Sequence, residues 1–344
     1  MTKSIIIIVI LTATALLSCS QKSNKEPNRT FTNDILLKHT PVKDQGRNQT
    51  CWAYAMLATI ETNRLMLGDS VHLSVGYAVR NVISDGYERY CLSKGKLDMT
   101  TRATAQTLLN TIERHGIVPH RAYSGYEHAN TTVLCNKVKR MAQAAINKHS
   151  GTGSHRNMVH CALNETLGAP PLKVFMLGAE YTPQEFARSV CRPGGYMALT
   201  SFTHHPFHES FALEIPDNWE QSLFYNIPID SLMLCIDKAL EEGNAICWEG
   251  DISEPGFRFQ QGWAMLTKKQ RRDLSQEARQ EMFENFQTTD DHAMCIIGKA
   301  HDNRGRLFYI MKNSWGTKNP YGGLIYVAAD YVKMKTIAIW VLQK

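Results

Sequence analysis

The chain has 344 residues, of which 43% are hydrophobic and 20% are charged, an ordinary balance for a globular protein. This length allows one large domain or two lobes around a cleft. The net charge of +6 is spread along the chain, without a dense run of lysine and arginine interleaved with aromatic residues. Nucleic-acid binding is therefore not expected.

The first residues carry the pattern of an export signal. Residues 4–17 are apolar, short for a membrane span, and suit the hydrophobic part of a secretory signal. The tetrapeptide LLSC at residues 16–19 resembles the lipobox of bacterial lipoproteins. Residues 1–18 are predicted to be a signal peptide, Cys19 the lipidated mature N-terminus, and residues 19–34 a polar tether. We expect a protein of the bacterial cell envelope; a plain signal peptide or an uncleaved anchor is the alternative.

The next stretch, residues 45–67, is interpreted as a loop that leads into a helix. Apolar residues recur at helical spacing from Trp52 onward, and Thr50 stands where an N-cap residue would. Cys51 falls in the first turn, where unpaired backbone N–H groups and the positive end of the helix dipole favour thiolate over thiol. A lone cysteine on a helix is usually a small buried hydrophobic residue, so its role depends on partners elsewhere.

The remaining chain divides into a helical first half and a strand-rich second half. Helical spacing is clearest at residues 102–115, which Gly116 ends. We predict further helices at residues 73–82, 131–148, 182–190 and 229–242 and within 257–287. We predict strands at residues 172–177, 245–249, 292–300, 307–312, 323–328 and 337–342.

A thiol nucleophile needs a histidine base, a group that orients the base, and donors for the developing oxyanion. The chain offers QGRNQTCWAYA at residues 45–55, DDHAM at 290–294 and KNSWG at 312–316. These motifs, in this order, resemble those of the papain-like cysteine peptidases. The segments YTPQEF at 181–186 and YNIPIDSLMLCIDKALEEGNAICWEGDI at 225–252 are similar to the bleomycin hydrolase and aminopeptidase C branch.

The resemblance implies a role for each matched residue. Cys51 would be the nucleophile and His292 its base, oriented by Asn313. Gln45 and the backbone N–H of Cys51 would form the oxyanion hole, and Trp315 would shield the His292–Asn313 hydrogen bond from water. The supporting residues beside these groups are Trp52, Asp291 and Trp315.

The resemblance also implies an α+β fold of papain type, with a helical lobe, a β-barrel-like lobe and the active-site cleft between them. Cys51 and His292 are farther apart in the chain than the roughly 130–150 residues of simple papain relatives, and inserted elements would account for the difference. The predicted bounds are 35–344 for the domain, about 45–170 and 171–344 for its lobes, and about 180–228 and 257–287 for the insertions.

The sequence departs from the family pattern at several places. Asn48 stands where many relatives carry a disulfide cysteine. Residues 93–99 provide only Gly95 where the family has paired glycines; alternatively, Gly95 is an ordinary turn glycine. The chain stops at Lys344 on the last predicted strand, without the C-terminal arm that enforces aminopeptidase action in the branch. We therefore expect cleavage of N-terminally blocked peptides. Carboxylates in or near the second insertion could substitute for the arm, namely Glu254, Glu281 or Glu284.

No cofactor or metal is expected. His204, His205 and His208 could bind a metal ion, but such a run is more often an exposed loop. The cysteines other than Cys19 and Cys51 show neither a disulfide framework nor a zinc pattern. Cys247 and Cys295 lie in apolar strand-like runs and are predicted to be core residues.

The sequence thus predicts an exported, lipid-anchored cysteine peptidase that hydrolyses peptide bonds through a thioester acyl-enzyme. Its partners would be a peptide or protein substrate and, through the lipid, a membrane. The alternatives are a strict aminopeptidase of bleomycin hydrolase type, a catalytically silent papain-fold binding protein, and an enzyme that transfers acyl groups to amines. A catalytically silent protein is disfavoured by the presence of Gln45, Cys51, His292 and Asn313. The motifs around these residues favour a peptidase over an enzyme that transfers acyl groups to amines.

Overall fold

The computed structural model describes residues 29–124, 129–176 and 178–343. The predicted signal peptide and Cys19 lie outside these residues. Among the described residues, none of the helices combines the length and the hydropathy that a membrane crossing requires.

The described part of the first half of the chain is mainly helical, because apolar residues recur there at helical spacing. Its helices are α1 (Cys51–Met66), α2 (Val75–Leu92), α3 (Ala105–His115), α4 (Thr131–Asn147) and α5 (Thr152–Leu167). The helix α5 was not predicted, because its first turn is polar and contains Gly153. Later helices are α6 (Pro183–Val190), α7 (Ile229–Glu241), α8 (Gln276–Glu284) and α9 (Ala329–Lys335), with 3₁₀ turns at His120–Ala122, Phe259–Gln261 and Gln270–Arg272.

Most strands follow the helical half. They are β1 (Phe31–Leu36), β2 (Val174–Met176), β3 (Ala179–Tyr181), β4 (Tyr196–Thr200), β5 (Ser210–Ala212), β6 (Leu223–Asn226), β7 (Ile246–Gly250), β8 (Phe257–Arg258), β9 (Trp263–Ala264), β10 (His292–Asp302), β11 (Leu307–Lys312), β12 (Leu324–Ala328) and β13 (Thr336–Leu342).

One large mixed sheet organises the second half. Its strand order is β5-β6-β4-β13-β7-β10-β11-β12-β9-β8, and β1 also pairs with β10. The central strand β10 is antiparallel to both β7 and β11. The pairs β4–β6 and β9–β12 are parallel, whereas β2 and β3 form a separate hairpin.

The central strands separate two hydrophobic cores, because successive side chains of a strand point to opposite faces. Cys247 and Ala293 belong to the core that contains most helices, whereas the next residues, Trp248 and Met294, belong to the core of the β-rich half. Helix α1 packs on β10 and β7. This packing brings the N-terminus of α1 to the sheet at the beginning of β10.

Two predicted boundaries differ from the structure. Residues 31–34, assigned to the tether, belong to β1, whose Phe31 stacks on Tyr326 with ring centroids 4.0 Å apart. The side chains of this strand are mostly exposed. Its sequence lacks the alternation of apolar and polar residues that would predict a strand. The core of the helical half also includes Phe186 and Trp340, so its packing does not stop near residue 170.

The predicted charged helix within residues 257–287 is shorter than expected. Only α8 is an α-helix there, and Ser275 caps it by accepting a hydrogen bond from the N–H of Ala278. The preceding part forms β8, β9 and two 3₁₀ turns, with Gly262 in the left-handed region at φ 76°. Glycine adopts this conformation without the steric cost that other residues meet.

Candidate active site

Cys51 is the first residue of α1, as the sequence indicates. Thr50 occupies the N-cap position, but its side chain makes no capping hydrogen bond to the helix. The neighbouring Trp52 is buried, and its indole N–H donates to the carbonyl of Thr101 at 2.9 Å. This contact fixes the start of α1 against the loop that precedes α3.

His292 begins β10, and Asn313 follows the adjacent strand β11. The imidazole Nε2 and the side-chain Oδ1 of Asn313 are 2.7 Å apart. The backbone N–H of Ser314 also donates to this Oδ1, at 2.7 Å, which identifies the atom as an acceptor. Nε2 of His292 must therefore carry the proton, and Nδ1 of the neutral ring keeps a lone pair.

Trp315 covers this histidine. The rings of Trp315 and His292 have centroids 4.7 Å apart and are inclined by 38°. Phe257 and Phe259 pack edge-on against the indole, with centroid distances of 6.0 and 5.2 Å. Residues 257 and 259, within the predicted second insertion, therefore support His292 through Trp315.

Hydrogen bonds of Gln45 fix its backbone and both ends of its side-chain amide. Its backbone N–H donates to the carbonyl of Ser314 at 2.8 Å, and its side-chain Oε1 accepts from the hydroxyl of Ser314 at 2.6 Å. Its Nε2 donates to the carbonyl of Asn48 at 2.7 Å, which occupies one of the two amide hydrogens. The second hydrogen of Nε2 can serve an oxyanion.

One cleft of about 230 Å³ contains most of the predicted site residues. Asn313 is buried behind His292 and does not line this cleft. Asp291 is exposed, and its Oδ1 accepts a hydrogen bond of 2.9 Å from the hydroxyl of Thr289. The predicted site residues that line the cleft are Gln45, Cys51, Trp52, Asp291, His292 and Trp315.

The electrostatics of the resting cleft favour a neutral thiol and a neutral imidazole. Burial raises the pKa of Cys51 to about 12; the N–H groups of Ala293 and Trp52 lower it, while Glu249 and Asp290 raise it. Burial likewise lowers the pKa of His292 to about 4, against the hydrogen bond to Asn313. Burial thus opposes the thiolate-favouring effect expected of the helix N-terminus.

A proton transfer from Cys51 to His292 would change this balance. It would create two opposite charges, and each would offset the desolvation cost of the other. The cleft can therefore support an ion pair that neither group would form alone.

A model of the Peptidase C1-like family matches residues 173–344, half of the chain. The chain belongs to this family. It is similar to the structure of PepW from Lactobacillus rhamnosis HN001, with 18% identity and a TM-score of 0.72, over 91% of this chain and 82% of that one. It also matches xylellain, a cysteine protease from Xylella fastidiosa, with 14% identity and a TM-score of 0.46, over 92% of this chain and 87% of that one.

No curated protein matches this chain. The family match and the similarity to PepW confirm the predicted α+β, papain-like fold and the resemblance on which that prediction rests.

Sequence reasoning about this C1-like peptidase chain missed several residues of the cleft. The loop before α3 contributes Arg102 and Ala103, whereas Gly95 lies in a turn after α2 and is not part of the cleft lining. This position agrees with the alternative interpretation of Gly95 as an ordinary turn glycine. The missed acidic residues are Asp217, Glu249 and Asp290.

One signal could have drawn attention to Glu249. It is the only charged residue in the apolar run AICWEG of the predicted strand at 245–249. A lone acid in a strand that is expected to be buried needs an explanation, since burying a carboxylate is costly.

Asn48 holds the loop before Cys51 by hydrogen bonds. Its Nδ2 donates to the carbonyl of Ala129 at 3.1 Å. Its Oδ1 accepts from the backbone N–H and the hydroxyl of Thr131, at 3.0 and 2.9 Å. The side chain thus ties the loop before Cys51 to the beginning of α4.

The described cysteines are all free thiols. Cys247 and Cys295 are buried opposite each other on β7 and β10, as core residues. Outside the cleft, His204 and His205 both contact the carboxylate of Glu214, with nitrogen–oxygen distances of 3.1 and 2.6 Å. These hydrogen bonds account for the clustering of the three side chains.

Proposed function

We propose that this protein is a cysteine peptidase that hydrolyses peptide bonds, with Cys51 as nucleophile and His292 as base. The observation that carries the proposal is the hydrogen bond of Nε2 of His292 to Oδ1 of Asn313. It leaves Nδ1 of the neutral ring as the proton acceptor, in the same cleft as Cys51.

In the proposed reaction, the thiol proton passes to Nδ1 of His292 as Sγ of Cys51 bonds to the carbonyl carbon of the substrate. The carbonyl oxygen becomes an oxyanion, stabilised by Nε2–H of Gln45 and the backbone N–H of Cys51. The carbon–nitrogen bond then breaks, and His292 gives its proton to the leaving amine. This step produces a thioester.

Water completes the cycle. His292 takes a proton from the water, whose oxygen bonds to the thioester carbon. The carbon–sulfur bond breaks, the thiol of Cys51 regains its proton, and a carboxylic acid product leaves.

The location of the enzyme is a second part of the proposal. The LLSC sequence at residues 16–19 supports export and lipid attachment at Cys19. The enzyme would then act on peptides or proteins in the bacterial cell envelope, anchored to a membrane by lipid. We expect Cys19→Ser to move the protein out of the membrane fraction. If the Cys19→Ser protein stayed in the membrane fraction, or if the mature N-terminus lay elsewhere and carried no lipid, the proposed lipid attachment would be contradicted.

The test of the activity compares Cys51→Ala with Cys161→Ala, which replaces an exposed cysteine outside the cleft. We expect Cys51→Ala to lose more than about 10³-fold in peptide hydrolysis and to lose labelling by a thiol-directed peptidyl inhibitor. Cys161→Ala should keep both. Turnover that persists in Cys51→Ala would reject the nucleophile, and a wild-type protein without turnover or labelling would favour a silent binding protein.

A further inference from the structure

Three carboxyl groups come together in the cleft that contains Cys51. Asp217, Glu249 and Asp290 come from distant parts of the chain and all line this cleft. Glu249 and Asp290 are close enough to Cys51 to raise the pKa of its thiol. The proposed reaction assigns no task to any of the three.

Two of these carboxyl groups have an oxygen without a partner in the described part of the chain. Glu249 is only 2% exposed; its Oε1 accepts a hydrogen bond of 2.6 Å from the N–H of Ala105, but its Oε2 has no partner. Oδ2 of Asp290 is also shielded from solvent and unpaired. Buried oxygens of this kind are costly unless something else satisfies them.

The nearby guanidinium group does not satisfy them. Nε of Arg102 donates to both carboxylate oxygens of Asp217, at 2.9 and 3.0 Å. Its Nη2 donates to the backbone carbonyl of Asp290, at 2.9 Å. Arg102 therefore pairs with Asp217 and leaves Oε2 of Glu249 and Oδ2 of Asp290 without a hydrogen bond, although its charge lowers the pKa of Asp290.

Burial favours the protonated form of both groups. Burial, reinforced by Asp217, raises the pKa of Asp290 to about 8. Burial and the charge of Asp290 raise the pKa of Glu249 well above its usual range. A cation that reached the cluster would replace these protons, because a nearby positive charge favours the ionised carboxylate.

We propose that Glu249, Asp290 and Asp217 form a subsite that binds a cationic group of the peptide substrate beside Cys51. This inference rests on the proposed function for its catalytic meaning, and it adds the chemical class of the substrate. The cation is either the side chain of arginine or lysine, or the α-ammonium group of a substrate N-terminus. Both are multivalent hydrogen-bond donors that suit unpaired carboxylate oxygens.

The alternative role for Glu249 is purely structural. Ala105 is the first residue of α3, so Glu249 also satisfies an N–H group at that helix N-terminus. This contact uses Oε1 alone, and a glutamine would provide the same acceptor. This structural role explains neither the unpaired, buried Oε2 of Glu249 nor the presence of Asp290 beside it.

Binding can be measured separately from catalysis in the full-length mature protein with Cys51→Ala. The peptides are acetylated and carry arginine or citrulline, its neutral isostere, at each position in turn. A second pair compares a free with an acetylated α-amine in a citrulline peptide. Calorimetry gives the ratio of affinities in each pair, and the wild-type enzyme with coumarin amides gives the ratio of kcat/KM.

We expect at least one cationic peptide to bind about tenfold or more tightly than its neutral match. Glu249→Gln and Asp290→Asn should each bring that ratio close to one. Glu281→Gln, the same change on the exposed face of α8, should leave the ratio as it was. An effect in the arginine pair identifies a side chain as the source, and an effect in the free-amine pair identifies an N-terminus.

Ratios near one in both pairs would overturn the subsite, and so would ratios that Glu249→Gln and Asp290→Asn leave unchanged. Circular dichroism checks folding, and Asp290→Asn decides the result if Glu249→Gln does not fold. Turnover without any cation preference would reject the subsite and keep the peptidase. A cation preference in binding, without turnover by the wild-type protein, would keep the subsite and reject the peptidase activity.

Discussion

The hydroxyl of Ser314 donates a hydrogen bond of 2.6 Å to Oε1 of Gln45, which joins the segment after β11 to the loop before α1. Because this oxygen is occupied, the amide nitrogen of Gln45 must point the other way, toward the carbonyl of Asn48 and the cleft. Ser314 is thus a positioning residue for the proposed oxyanion donor, although it makes no contact with the reacting atoms in the proposed reaction.

We predict that Gln45→Ala lowers kcat on a peptide amide by about 10²- to 10³-fold, the effect of removing one oxyanion donor. Ser314→Ala should lower kcat by less, with little change in KM. If the two residues act as a unit, the double variant should lose no more than Gln45→Ala alone. Additive losses in this cycle would show that Ser314 does not act through Gln45.

We predict that Asn313→Ala lowers kcat by more than tenfold, because the proton of His292 is no longer held on Nε2. The ring could then present a protonated nitrogen to Cys51. Asn313→Asp should retain more activity, since it keeps an acceptor for Nε2–H. The measurement is kcat with a matched thermal unfolding curve, and equal kcat for both variants would contradict the tautomer argument.

We predict that Trp315→Ala raises the pKa of His292 from its lowered value of about 4 toward the usual range. Burial is the main cause of the lowered pKa, and loss of the indole admits water to the ring. The fraction of protonated imidazole at mildly acidic pH should therefore increase. NMR titration of the histidine can measure this, with Trp263→Ala, on β9 and outside the cleft lining, as the control.

The cation preference should rise with pH. Below the raised pKa values of Asp290 and Glu249 these groups are protonated in the free protein, so a bound cation must displace protons and its affinity is reduced. Between about pH 6 and 8 the preference for arginine over citrulline should increase, since arginine stays charged throughout. The other titratable or charged groups near Asp290 and Glu249 are Asp217, Asp291, Arg102, His292, Cys51 and Cys247.

Calorimetry in two buffers of different ionisation enthalpy would count the protons released when the arginine peptide binds. Because arginine and citrulline peptides meet the same Cys51 and His292, their ratio removes the titration of the reacting groups. A ratio that is constant over this pH range, with no proton release, would contradict the prediction.

We predict that Asn48→Ala lowers the free energy of unfolding by about 1–3 kcal/mol, because it leaves polar groups of Ala129 and Thr131 without their partner. Asn48→Asp should lose less, since it keeps the acceptor for Thr131. Urea unfolding monitored by tryptophan fluorescence measures both. An unchanged midpoint in Asn48→Ala would show that the loop is held by other contacts.

Apolar periodicity was enough to predict most of the core elements. The strand at residues 307–312 has the predicted bounds, because its buried run lies between turn-forming segments. The elements β1 and α5 were missed, because largely polar sequences depend on tertiary contacts for their structure.

The candidate site also contains residues that the sequence could suggest and residues that it could not. Short motifs carry Gln45, Cys51 and His292, so the sequence alone could suggest them. In the acidic cluster only Glu249 carries a signal in the sequence, as a lone acid in an apolar run. Its grouping with Asp217 and Asp290 could not be predicted, because these residues come together only in the folded chain. The carboxylates suggested from the sequence lie outside the cleft lining: Glu254 contacts Lys335 and Gln270, Glu284 contacts Gln280, and Glu281 is exposed.

The attachment of the loop by Asn48 has a practical consequence for how the enzyme tolerates its surroundings. A thiol nucleophile must be kept reduced, and a reductant present for that purpose also breaks strained or exposed disulfides. An amide side chain has no such chemistry. Protection of Cys51 and anchoring of the loop before it are therefore independent, and the geometry of the loop should be the same in oxidising and reducing media.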